Sequence, residues 1–201
     1  MKKHKFYSIL GLLSTCIILI NYLINFALSE YGLLTNGALL LITLFSMFSG
    51  LVVFLSLRFI IVIYSKLDEF RIVLLLIIIS QILTSILTLL IKYQVFPLMY
   101  VVIPLILIGL VLVGSYLWFF ILLSKTGNKE IKGLPFLLYF GITLLALVIL
   151  TTIFSIIPHN GIKAFDSIIQ LLEAFPYVFI FLFFVRHIKL SRIELKQNTY
   201  A

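Results

Sequence analysis

The chain is poor in charge. Only 11% of its residues are Asp, Glu, Lys or Arg, and just seven of those are acidic. A soluble 201-residue domain needs a solvated surface, and a composition that is 63% hydrophobic cannot supply one. One cysteine, Cys16, forbids an internal disulfide. The three histidines, His4, His159 and His187, lack the His-x-x-x-His spacing of a helical metal site, so no metal is expected. No GxxxxGK[ST] sequence is present to cradle phosphates, and no stretch is long enough for an attached nucleotide-binding domain. No cofactor is therefore expected. The scarcity of carboxylates also removes the multi-aspartate motifs of phospholipid-head-group transferases, and an enzyme is the less favoured reading.

What is there is apolar sequence in long runs. Several exceed the roughly 18 residues that mark a transmembrane helix, whereas a barrel would show short alternating segments. The expected fold is an all-α, polytopic membrane bundle, one domain over residues 1–201 with six spans. These are placed at about 6–28, 38–57, 72–91, 98–124, 134–157 and 166–185. The second apolar run continues beyond Arg58 to Tyr64, so its helix is expected to extend further into the interface.

Basic residues fall in alternate connections: thirteen lie before span one, between spans two and three, between four and five, and after six. Only Lys92 and Lys163 lie on the other side. The positive-inside rule then puts both termini in the cytoplasm, in a cell membrane expected to be the bacterial cytoplasmic one. This bias accounts for most of the formal charge of +8, so nucleic acid is not an expected partner. The first span contains LSTC, Leu13 to Cys16, which resembles a lipobox. Thr15 and the long apolar continuation depart from that motif, and the run is read as an uncleaved span.

Projected at 100° per residue, the polar residues inside the spans form stripes. Span one carries Ser14, Asn21 and Asn25; span three carries Ser80, Gln81, Thr84 and Thr88; span six carries Lys163, Asp166, Gln170, Glu173 and Tyr177. Such groups are costly against lipid, so these faces are expected to point inward. The serines and threonines read as hydrogen-bonding glue between helices, and Ser46 with Gly50 as a small-residue packing seam. Asn21, Asn25, Gln81 and Gln170 suit either glue or binding.

Glu173 is the most informative residue. Twelve residues separate it from Arg186, about 18 Å of helix against a hydrocarbon core of about 30 Å. It is expected either to line a cavity below the outer boundary or to sit at headgroup level, paired with Lys163 or His159. Pro176, one turn away, frees the Leu172 carbonyl, and Pro104 does the same for Tyr100 in span four; both are candidate kinks. The candidate substrate- or ion-binding set is thus Glu173, Gln170, Asp166, Tyr177, Asn21, Asn25 and Gln81, in a cavity between spans one, three, four and six.

In size, six-span count and short loops, the chain resembles the substrate-capturing subunits of energy-coupling-factor vitamin transporters. Their Ala-x-x-x-Ala in span one is missing here. That resemblance implies a small-solute transport component working in the bilayer with a separate ATPase module or other membrane subunits. The alternative is a non-catalytic accessory, assembly or immunity-type subunit of a larger membrane complex. Its support is FPYVFIFLFFVRH, Phe175 to His187, read as an aromatic lipid-facing surface.

Overall fold

The computed structural model describes residues 2–31, 35–64, 68–93, 98–126, 131, 133–156 and 163–197. The side chains of 2–4, 29–30, 36, 39, 63–64, 88, 92, 98–99, 148–149, 151–156, 163–170 and 191–197 lie outside the described set. Six helices make up the fold: α1 Lys2–Glu30, α2 Asn36–Tyr64, α3 Asp68–Lys92, α4 Leu98–Lys125, α5 Leu134–Ile156 and α6 Lys163–Gln197. No strand occurs among the described residues. The expected spans fall inside these helices, except that the last residue of the fifth, 157, lies outside the described residues, and α2 does continue through Arg58 to Tyr64.

Five helices are long and apolar enough to cross a bilayer, and α5 adds the apolar segment Leu134–Leu147 among its described residues. Outward-facing side chains such as Phe48, Ile103 and Leu110 are more than half exposed yet wholly apolar, a surface suited to lipid and not to water. The chain is an apolar helical bundle of the kind found in integral membrane proteins.

Each helix packs on its neighbours in chain order, and α6 returns to pack on α1, closing a six-membered ring. The helices alternate in direction: Tyr7, early in α1, stacks on Phe59, late in α2, with ring centroids 4.3 Å apart, and Phe70, early in α3, meets Phe119, late in α4, at 6.0 Å. The starts of α1, α3 and α5 and the ends of α2, α4 and α6 therefore share one end of the bundle. We call it the basic end, because Lys5, Arg58, Arg71, Lys125 and Arg186 lie there.

A ring of six cylinders about 9 Å apart leaves a central hole about as wide as one more helix. At the basic end large side chains fill it: Phe54, Leu57, Phe70, Leu74, Phe119, Phe140, Phe183 and Phe184 are all buried. Gly11 of α1 permits this packing, because the ring of Phe184 occupies the space where a Cβ would stand. The α4–α5 connection is knitted at the same end. Thr126 bonds back to the carbonyl of Leu122, and Gly133, at φ +92°, turns the chain into α5 beneath the Phe183 ring. At the far end Thr35 caps α2, its hydroxyl accepting from the Ala38 N–H at 3.2 Å.

Candidate functional site

Beyond the aromatic layer the inward-facing residues change character and the hole stays open. A cavity of about 410 Å³ lies in the half away from the basic end. On α1 the packed residues end at Ile18, and the wall continues with Asn21, Tyr22 and Asn25. On α2 the wall runs from Ile42 through Thr43, Ser46, Met47 and Gly50 to Leu51, after which Val53 and Phe54 belong to the core. On α3 the core ends at Ile78, and Gln81, Thr84 and Ser85 take over; on α6, Glu173 and Tyr177 precede Ile180. The α2 wall alone spans nine residue steps, about 14 Å along the axis.

Two hydrogen bonds between helices frame this space. Gln81 Nε2 donates to the Tyr116 hydroxyl of α4 at 2.7 Å, and Asn21 Nδ2 donates to Ser46 Oγ of α2 at 3.4 Å. Tyr116 lies against Phe54, with ring centroids 6.2 Å apart, and Phe140 touches both Phe54 at 6.3 Å and Tyr177 at 6.4 Å. These rings form the floor. Near Glu173, the Tyr22 and Tyr177 rings pair across α1 and α6 at 6.0 Å. Asn25 Oδ1 is buried with no hydrogen-bond partner.

The structure therefore gathers Asn21, Asn25, Gln81, Glu173 and Tyr177 around one cavity. Asp166 and Gln170 lie on α6, but their side chains are outside the described set, as are Lys163, Thr88 and all of His159. Glu173 faces the cavity wall, not the lipid side of α6.

Several expectations need correction. Among the described residues the cavity is walled by α1, α2, α3 and α6; α2 takes the place expected of α4, which contributes Leu112 to the lining and Tyr116 beneath it. Ser46 and Gly50 do not form a packing seam, since a Cβ on Gly50 would meet nothing within 4 Å and both residues border the cavity. The small residues here leave room instead of closing it. Ser46 accepts one of the two interhelical bonds that frame the cavity, while Thr15, Ser115 and Thr143 donate to carbonyls of their own helices. The aromatic run of α6 is a lipid face only in part: Phe175, Val178 and Leu182 are exposed, whereas Ile180, Phe183, Phe184 and His187 are buried and Tyr177 lines the cavity. Helices α4 and α6 both continue through Pro104 and Pro176. Pro104 is exposed on the outer side of α4, away from the cavity.

Tyr22, Thr43, Ser46, Thr84 and Ser85 belong to the wall without having been candidates for binding. A signal for the α2 members exists: Thr43, Ser46, Met47 and Gly50 follow the i, i+3, i+4, i+7 spacing of a single helix face. Compared with known proteins, the chain matches no family model, no curated protein and no solved structure.

Proposed function

We propose that the protein is the membrane component of a small-solute transport system and that its cavity holds the solute. The observation that carries this reading is the cavity itself. In a six-helix ring whose other half is filled by phenylalanines, one half is kept open by short polar residues around Glu173, the one carboxylate among the described residues of the wall. Polar groups at membrane depth are costly, and a fold that needed only packing would gain by replacing them with leucine. The cavity volume falls within the range of about 300–1,000 Å³ typical of small-molecule sites.

In this reading both termini face the cytoplasm, the cavity lies in the outer half of a bacterial cytoplasmic membrane, and the floor of Phe54, Tyr116 and Phe140 separates the solute from the inside. Energy comes from a separate ATPase module or another membrane subunit. Single cysteines at Tyr31 and Tyr93 are expected to react with an impermeant reagent outside intact cells, and those at Asp68 and Lys125 only after permeabilisation. The reverse pattern would invert the cavity.

The decisive variant is Glu173→Gln, which keeps the shape of the side chain and removes its charge. It is expected to melt in detergent within a few degrees of the wild type while failing to complement a deletion strain. Full complementation would remove the transport reading. The alternative, an accessory role, keeps only the exposed part of the α6 run, Phe175, Val178 and Leu182, as its sequence support.

A further inference from the structure

We propose that the solute is a small organic cation, an amine or quaternary ammonium compound whose positive charge sits against the Glu173 carboxylate. The inference rests on the cavity being a solute site and deepens that reading by naming the chemical class.

Charge gives the first argument. Glu173 is the only acid among the described residues of the wall, and no lysine, arginine or histidine stands beside it there. Among the described residues of the wall this carboxylate has no counter-charge, and a bound cation would supply one. Hydrogen bonding agrees with this, because the buried Asn25 Oδ1 has an acceptor to offer and no donor. The Tyr22 and Tyr177 rings stand on the same side of the cavity as Glu173 and offer faces for cation–π contact.

Size and ligand count narrow the class. A divalent metal takes six to eight oxygens, usually with several carboxylates, and no group of three His, Cys, Asp or Glu side chains converges among the described residues. A bare monovalent ion would leave most of the 410 Å³ unfilled. An anion would face the Glu173 carboxylate with no cationic side chain among the described wall residues to offset it. An amino acid or a phospholipid headgroup carries a carboxylate or phosphate that finds no cationic partner in the described wall, which favours a free cation over a lipid-borne one.

The test uses cavity thiols and reagents of opposite charge. In a Cys16→Ser background reconstituted into phosphatidylglycerol vesicles, Ser46→Cys and, independently, Ser85→Cys are treated with ethylammonium and sulfonatoethyl methanethiosulfonates. Ser85→Cys guards against misfolding of the Ser46 variant, which loses the acceptor for Asn21. The ratio of cationic to anionic rate is expected to fall at least tenfold when Glu173→Gln is added, and at least one of methylammonium, choline and putrescine is expected to slow modification only when Glu173 is present.

A ratio indifferent to Glu173→Gln overturns the proposal, as does absence of protection by every cation. Equal protection by 3,3-dimethylbutanol, the neutral isostere of choline, removes the charge requirement but leaves a solute cavity. Protection by phosphatidylethanolamine vesicles alone makes the occupant a lipid headgroup and overturns the free-cation assignment. Failure of both thiols to react with any reagent shows a closed interior and overturns the solute-site reading as well.

Discussion

The two halves of the ring are built from the same six helices and solve the same geometric problem in opposite ways. At the basic end, Phe54, Phe70, Phe119, Phe140, Phe183 and Phe184 converge and leave no space. In the far half, Asn21, Asn25, Ser46, Gly50, Thr84 and Ser85 occupy the corresponding inward positions and leave about 410 Å³. Lipid offers apolar side chains as good an environment as a core does, so burial by itself favours neither arrangement. Dispersion contacts hold the packed half together. The open half forgoes them, which makes sense if something else occupies that space.

The largest expected effect falls in the packed half. Phe54→Ala removes a fully buried ring that touches both Tyr116 and Phe140. Phe→Ala costs about 3–5 kcal/mol in soluble cores, and about 2–4 kcal/mol is expected here because the unfolded reference state already sits in lipid. Thermal unfolding in detergent, followed by circular dichroism, measures the loss; a change of only a degree or two would show that the aromatic layer is not a tight core.

A matched pair of glycines sharpens the contrast. Gly11→Ala drives a methyl group into the Phe184 ring, which is itself fully buried. Overpacking of this kind costs about 1–3 kcal/mol. Gly50→Ala places the same methyl in open space, and the gain in helix propensity, about 0.5–1 kcal/mol, is expected to leave stability equal or raised. Equal melting temperatures for the two variants would mean that the halves are packed alike. Gly50→Ala also narrows the cavity, so a loss of solute binding without loss of stability would assign the small residue to function.

Much of this was legible in the chain. The six helices follow from run length alone, and the inward direction of Asn21, Asn25, Gln81 and Glu173 follows from the cost of a polar group in lipid together with a period of 3.6. The α2 wall was misread because small residues look the same in a sequence whether they admit a neighbouring backbone or leave a void; only the empty space beside Gly50 distinguishes the two. The α6 aromatics were read as one surface, though Phe175 is exposed and Phe183 and Phe184 are buried, because phenylalanine is as much at home against lipid as inside and hydropathy carries no information about which way it faces.

The sequence by itself determined the class, the number of helices and their apolar spans, and the faces on which polar groups lie. These depend on the solvent and on local helix geometry, both of which act residue by residue. Tertiary structure decided that α6 closes on α1, that the centre is filled at one end and open at the other, and that α2 and not α4 completes the wall. Those outcomes depend on which helices become neighbours. Side chains distant in sequence, such as Gln81 with Tyr116 or Gly11 with Phe184, acquire their roles only when ring closure brings their helices together.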